Sequence, residues 1–325
     1  MKRVYCCLPV HNEQEKLEKC IISFNIAAQN INNSIVTIIC LNGCIDNSFN
    51  IAKKCQKMFP LLNIIIIKSK KGKLNAQKKM LSLIPKNYKV FFMDTDTEIM
   101  ENSLKILLNE MDHHKELIAV GGFPVAKKYN GKNIYKKFLD NILNIRSRHP
   151  MSEISKLDVS DYHSLAILDP QYINTNVEHE LKSKIFFHGR LFLLKSKKYW
   201  NYPLKNKGVV GDDSYIPDYI IYYYGKNRIR IRYDALIYFE PFTSLREHYN
   251  AYKRIYFDLK NLKENFPQFR DIREHSSLIL NKEYIKEQPS REKLKFLMYK
   301  LIRKIELFLY SFSDLKNPEE IWRKN

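Results

Sequence analysis

The chain has no uninterrupted apolar run approaching the ~18 residues that a membrane-spanning helix needs, which excludes an ordinary transmembrane protein. Its opening, MKRVYCCLPVHNE, carries basic residues, but the apolar stretch stops well short of a secretory core, so no signal peptide is expected. A cytoplasmic protein follows, soluble or peripheral at the inner face of a membrane. No C-x-x-C pair occurs, and no histidine cluster stands at zinc-like spacing. All six cysteines, Cys6, Cys7, Cys20, Cys40, Cys44 and Cys55, fall in the first 55 residues, mostly in or beside apolar runs. Reduced, buried thiols are therefore expected in place of a disulfide or zinc framework. There is no internal repeat and no low-complexity linker. Acids are scarce: 35 Asp and Glu face 55 Lys and Arg, a net charge of +20. That excess favours polyanions, whether nucleotide phosphates, anionic lipid headgroups or nucleic acid, without choosing among them.

What is present is an alternation of short apolar runs and helical periodicities. Val4–Val10, Ser34–Leu41, Leu62–Ile67 and Lys89–Met93 read as buried strands. Between them, residues 13–28, 47–58 and 74–83 carry apolar positions at helical spacing, the first through Leu17, Cys20, Ile21 and Phe24. Strands alternating with helices predict a parallel sheet covered on both faces. Such sheets bind ligands at the carboxyl ends of their strands, and the polar clusters of this region lie at those ends.

The cluster after the fourth strand, Phe91-Phe92-Met93-Asp94-Thr95-Asp96, sets two carboxylates two residues apart. In extended chain they point the same way. Two oxygen ligands suit Mg²⁺ or Mn²⁺, which are commonly held by one or two carboxylates together with substrate phosphates. A solvated acidic turn has the same appearance.

Three further segments give the pair a context. They are Pro9-Val10-His11-Asn12-Glu13, Asn42-Gly43-Cys44-Ile45-Asp46-Asn47-Ser48 and Lys71-Gly72-Lys73-Leu74-Asn75-Ala76. In this order and spacing, with the D-x-D, the chain resembles the family 2 glycosyltransferases of the GT-A fold over roughly its first 100 residues. The resemblance implies a Rossmann-like, mostly parallel central sheet flanked by helices and followed by a helical C-terminal extension. The expected division is a catalytic domain over 1–245, with a nucleotide-sugar-binding half (1–120) and an acceptor-binding half (121–245), and an extension over 246–325. The resemblance implies a metal-dependent, inverting transferase that moves a sugar from a nucleotide-diphosphate donor to an acceptor hydroxyl in cell-surface glycan or glycoconjugate synthesis. The acceptor would be a glycan, a lipid-linked molecule or another hydroxyl compound, and no nucleic acid is expected.

By the same resemblance, Pro9, His11, Asn12, Glu13 and Asn42 cradle the nucleotide. Lys73 meets the base or diphosphate, Asp94 faces the ribose or the metal, and Asp96 holds the metal. One position departs from the family. Where an acidic pair commonly reads the uracil imide, this chain has Leu41-Asn42, and Leu41 cannot accept that proton. The segment is also a turn and helix cap through Asp46 or Ser48. Downstream, Gly208-Val209-Val210-Gly211-Asp212-Asp213 resembles the family's acidic segment. Asp213 is then the general base that takes the acceptor proton, with Asp212 orienting it or serving as the runner-up base. Before it, His188-Gly189-Arg190 resembles the strand lining the acceptor side. After the core, His248 is a candidate third metal ligand, and Arg246, Lys253 and Arg254 are candidate diphosphate contacts or a solvated basic face.

From Ser290, a plausible N-cap after Pro289, an apolar stripe recurs at helical spacing: Leu294, Leu297, Leu301, Ile305, Phe308 and Phe312 among others. Lys293, Lys295, Lys300, Arg303 and Lys304 share the segment. Packing on the core or on a second subunit of a homodimer is the first expectation, and an anionic membrane surface the second. Two other classes compete with the whole reading. A sugar-nucleotide pyrophosphorylase needs a glycine-rich first loop, and Cys6–Asn12 contains no glycine. A nonenzymatic basic binder, or an inactive transferase, leaves the ordered carboxylates without a use.

Overall fold

The computed structural model describes residues 3–149, 188–199, 212–269, 272 and 282–313. The strands are β1 (Arg3–Val10), β2 (Ser34–Asn42), β3 (Ile64–Ser69), β4 (Lys89–Met93), β5 (Thr97–Ile99), β6 (Ala119–Ala126), β7 (Leu191–Leu194) and β8 (Ile229–Phe239). Among the described residues they form one sheet in the order β3-β2-β1-β4-β7-β6-β8-β5. The half formed by β3, β2, β1 and β4 is parallel, with Val10 opposite Leu41 and Cys7 opposite Phe92. Past β4 the sheet turns antiparallel: Met93 pairs with Leu191, Ala119 with Leu194 and Thr97 with Phe239.

The parallel half follows from composition. After its first residue β2 is buried throughout, as are most residues of β1 and β4, so both faces must be covered. Helix α1 (Leu17–Gln29) covers one face with Leu17, Cys20, Ile21, Phe24 and Ala27, the i, i+3, i+4, i+7 set of an amphipathic helix. Helices α2 (Ser48–Met58), α3 (Lys73–Ser82) and α4 (Ser103–His113) complete this part of the chain. Each strand and helix foreseen in the first 95 residues is found, shifted by a few residues at the ends. All six cysteines are free, and only Cys44 is not fully buried. Burial raises the Cys6 and Cys7 thiols well above the ordinary range, which keeps them protonated.

The chain divides into two compact units. One comprises Met1–Pro124, Ile185–Asn206 and Asp212–Phe239; the other comprises Val125–Lys184, Lys207–Gly211 and Glu240–Asn325. The segment from Val125 is thus grouped with the C-terminal helices. In the second unit lie α5 (Ile134–Leu143), α6 (Ile145–Arg148), α8 (Leu245–Asn265), α9 (Lys282–Glu287) and α10 (Ser290–Ser311), while α7 (Asp212–Tyr224) belongs to the first. Asn144 ties the second unit together, its amide both donating to and accepting from the backbone of Phe242 at 2.9 Å.

One ion network of the first unit had no signal in the sequence. Glu110 on α4 is buried, and Arg230 and Arg232 from β8 both pair with it, while Arg232 also meets Asp234 at 2.7 Å. Burial works against the carboxylate, but the two guanidinium groups outweigh it and hold Glu110 below the ordinary glutamate range. A carboxyl depressed by folding stabilises the protein above its unfolded pKa, and the contribution is lost as pH falls through the folded value. Glu110→Gln is therefore expected to lower stability at pH 7 and to flatten the acid limb of the stability profile. Urea unfolding from pH 7 down to the acid range reads both effects.

Candidate functional site

The strand ends of the first unit carry the polar loops. β1 stops at Val10, and Asn12 adopts a left-handed conformation (φ 52°), one that asparagine tolerates better than most residues. This loop is stitched to the one after β2. His11 Nδ1 lies 2.6 Å from the Asn42 carbonyl oxygen, and Asn12 Oδ1 accepts from the Ile45 amide at 2.9 Å. The Glu13 amide donates to Ser48 Oγ, and the Gln14 amide to Asp46 Oδ2, each at 3.0 Å. Asp46 also accepts from the Ser48 amide at 3.1 Å, so it serves the start of α2 as expected of a capping residue. Burial opposes ionisation of Asp46, but the hydrogen bonds from Ser48 and Gln14 prevail and lower its pKa. Gly43 is left-handed (φ +59°), and a Cβ there would lie 3.0 Å from that of Lys71, so the loop after β2 and the lead into α3 meet at this glycine.

Leu41 is buried in the core. The polar group at this strand end is Asn42. It is buried, and its Oδ1 has no hydrogen-bond partner. At the start of α3, Gly72 has φ +123°. It presents Lys73, whose ammonium pairs with Asp94 Oδ1 at 2.7 Å, both side chains being mostly shielded.

Asp94 follows β4 directly, with its amide donating to the Arg190 carbonyl at 3.0 Å. Thr95 and Asp96 form a turn, where the sequence suggested continued extension. Burial nevertheless alternates. Thr95 and Thr97 are buried, while Asp94, Asp96 and Glu98 are half-exposed, so the three acids share the open side. Thr95 Oγ1 donates to the Pro9 carbonyl at 3.3 Å and Thr97 Oγ1 to the Asp94 carbonyl at 2.6 Å, which pins the turn to β1. Burial raises the Cys20 thiol, and the negative charges of Asp96, Asp94 and Glu98 raise it further, so all three lie within electrostatic reach of one sulfur. Glu98 escaped the sequence reading because a lone acid past a D-x-D has no spacing signal. Arg190 stacks on Phe239, 4.1 Å from the ring centre.

Asp212 and Asp213 open α7, and Asp213, half-buried in its first turn, complements the helix dipole. The preceding Gly208–Gly211 lies outside the described residues, as do the polar stretches of 150–187 that would suit acceptor-facing loops. Arg246, Lys253 and Arg254 lie on α8 in the second unit; Arg246 is exposed and the other two are half-buried. His248, on the same helix, is fully buried, with Nδ1 2.7 Å from Glu306 of α10. Its Nε2 has no hydrogen-bond partner, and the ring packs among Phe242, Tyr252 and Tyr299. Among the described residues, no three His, Cys, Asp or Glu side chains gather as a metal-binding group. Asp94 and Asp96 are still a donor set that suits a hard cation when substrate phosphates complete the shell. The Lys73 ammonium already stands against one of them as a positive charge.

A parallel half-sheet extended by antiparallel strands, with stitched loops at the strand ends and acids after β4, is the GT-A architecture. The chain matches the family described as Glycosyl transferase family 2 over residues 5–170 and belongs to that family. It is similar in structure to a mannosyltransferase from Pyrobaculum calidifontis, solved with GDP-mannose and Mn²⁺. The TM-score is 0.54 at 13% identity, over 98% of this chain and 78% of that one. It is also similar to residues 1–349 of S. aureus TarS (TM-score 0.49, 12% identity, 92% and 79% covered). A third similar structure is the glucosyl-3-phosphoglycerate synthase of Mycobacterium tuberculosis, solved with Mn²⁺, UDP-glucose and phosphoglyceric acid (TM-score 0.47, 12% identity, 81% and 79% covered). At these identities the likeness speaks for the fold alone. No curated protein matches the chain in sequence.

Removing His248 leaves Glu306 without its one fully buried partner. His248→Ala is expected to cost roughly 3 kcal/mol of stability, read as a lowered thermal midpoint; an unchanged midpoint would rule out the structural role.

Proposed function

We propose that the chain is a hexosyl- or related transferase that passes a sugar from a nucleotide-diphosphate donor to an acceptor hydroxyl, with inversion, in glycan or glycoconjugate synthesis. The observation that carries this is the Lys73–Asp94 ion pair at the end of β4, 2.7 Å long and mostly shielded from water. It shows a carboxylate at the strand end already balanced by a cation, beside a second carboxylate on the same open side. Asp94 and Asp96 would hold Mn²⁺ or Mg²⁺, which would supply charge neutralisation of the diphosphate as it leaves. Lys73 is then available to the diphosphate.

Pro9, His11, Asn12 and Glu13 form the nucleotide side of the site, held in place by the hydrogen bonds to the loop after β2. Asn42 takes over base recognition from the buried Leu41, its amide offering a hydrogen-bonding group to a base edge. Asp213, at the N-terminus of α7, takes the proton from the acceptor hydroxyl, and Asp212 orients it. His248 is buried in the second unit against Glu306, and among the described residues it joins no group of three potential metal ligands, so the proposed metal site rests on Asp94 and Asp96 alone.

The test is thermal stabilisation by UDP, GDP, CMP and dTDP, each with Mn²⁺ and with chelator. One nucleotide at a hundredfold excess over its Kd should add about 2.7 kcal/mol, seen as a rise of a few degrees that needs the metal. Asp96→Asn should remove the metal-dependent part. Asp213→Asn should keep nucleotide binding and lose sugar transfer. Absence of stabilisation by all four would point to an inactive transferase or a charge-driven binder.

Lys73 yields a separate expectation. Lys73→Met removes the resident positive charge from Asp94, so Mn²⁺ binding without nucleotide, followed by calorimetry, should tighten. Weaker binding would mean that Lys73 assists the metal.

A further inference from the structure

Helix α10 has two apolar faces, and the structure uses only one of them for packing. Phe296, Tyr299, Glu306 and Tyr310 are buried. At about 100° per residue, they fall on one side of the helix. On the opposite side Leu294, Leu297, Leu301, Ile305, Phe308 and Phe312 lie within an arc of roughly 80°. All six are exposed, Leu297 and Phe308 each at 63%. The expectation that this stripe packs on the core is therefore reversed: among the described residues the aromatic face packs and the aliphatic stripe faces out.

The rotation of the helix is set by charge. Glu306 is buried and must keep its partners, and it has two, His248 at 2.7 Å and Arg303 at 2.5 Å. Arg303 lies over the Tyr252 ring at 3.8 Å, and the Tyr310 hydroxyl donates to the Tyr249 carbonyl at 2.9 Å. Turning the stripe inward would break the three contacts that reach α8, those to His248, Tyr252 and Tyr249. The outward stripe is thus a consequence of a satisfied polar network and not of loose packing. A neighbouring helix also exposes apolar side chains. α5, which packs against α10, exposes Ile134 at 83% and Phe138 at 49%.

The charges along the stripe indicate what covers it. Lys293, Lys300 and Lys304 line one edge of the arc, and none has an acidic partner among the described residues. The helix has only two acids, and both are engaged, Glu292 with Lys295 at 2.5 Å and Glu306 in the buried network. An apolar stripe bordered by uncompensated lysines, on a chain of net charge +20, complements a surface that is apolar beneath and anionic above. A second copy fits less well, because an antiparallel two-fold pairing would set the lysine edge against itself. No helix among the described residues is long and apolar enough to cross a membrane, so α10 would lie in the interface plane.

We propose that the outer face of α10, with the adjoining tip of α5, docks the protein on an anionic lipid surface. The probes are vesicles of phosphatidylcholine alone and of phosphatidylcholine with one-quarter phosphatidylglycerol, mixed with the full chain and floated on a density gradient. The protein should float with the anionic vesicles and only weakly with the neutral ones, and added salt should release it. Lys293, Lys300 and Lys304 changed together to Gln should weaken binding on the order of 100-fold. The replacements Leu297→Ser, Leu301→Ser and Phe308→Ser together should abolish flotation. These six side chains are exposed, and an unchanged thermal midpoint would verify that the variants fold. Nucleotide-induced stabilisation should be intact in both, which separates this proposal from the assignment of the nucleotide site. Equal binding to neutral and anionic vesicles, or none to either, would overturn it. So would a dimer, seen by light scattering, that the serine variant dissolves while vesicles leave it unchanged.

Discussion

Burial of the central strands on both faces is the constraint on which the rest depends. A strand with no exposed face has no room for polar side chains along its length, and its chemistry is displaced to its ends. β1, β2 and β4 are such strands, and their polar residues begin within a residue or two of the last apolar one. The end of each strand must also satisfy its own backbone groups. The loop hydrogen bonds do this: Asn12 serves Ile45, Asp46 serves Gln14 and Ser48, and Thr95 reaches back to Pro9. A region built to terminate strands is thereby also a preorganised ligand surface. On the proposed assignment, the side chains that meet a nucleotide are those the folding of the loops has already positioned.

The first 95 residues were legible because their signals are local. Apolar runs of strand length, helical periodicity and turn residues each act over a few positions, and they agree with one another. The D-x-D was legible for the same reason, although its geometry was not. Asp94 and Asp96 share an open side through a turn, where alternation along an extended strand had been expected. Hidden features were those joining distant segments. Glu110 finds Arg230 and Arg232 some 120 residues away, and Lys73 finds Asp94 from the start of a different helix. Nothing in the spacing of charges along a chain specifies such pairs, since they exist only after the sheet has brought its elements together. The two compact units were hidden for a related reason: grouping Val125 onward with the C-terminal helices depends on contacts such as Asn144 with Phe242, 98 residues apart.

The C-terminal helix shows how an amphipathic pattern can be correctly seen and wrongly oriented. Sequence periodicity locates an apolar stripe, and the common fate of a stripe is to pack. On α10 the aromatic and ionic residues supply the packing instead, because a buried Glu306 demands specific partners whereas leucines accept any apolar cover. A desolvated charge is costly to misplace, and an exposed leucine costs far less. The polar minority of the helix thus decides which way its apolar majority faces.

The same reasoning bears on the strand-end acids. Asp94 is three-quarters shielded, so its charge is costly without a counterion, and the chain supplies one in Lys73. Two cations cannot both claim that carboxylate at full strength. A divalent ion arriving alone has to displace an ammonium from that carboxylate. An ion arriving with a diphosphate brings an acceptor along, so the displaced lysine exchanges one anion for another. On the proposed assignment, metal and donor binding are therefore coupled with positive sign, each easing entry of the other, and the coupling is reciprocal by linkage. It needs no moving lid. It arises from one lysine placed at the first turn of α3, where Gly72 opens the helix, opposite an aspartate at the end of β4.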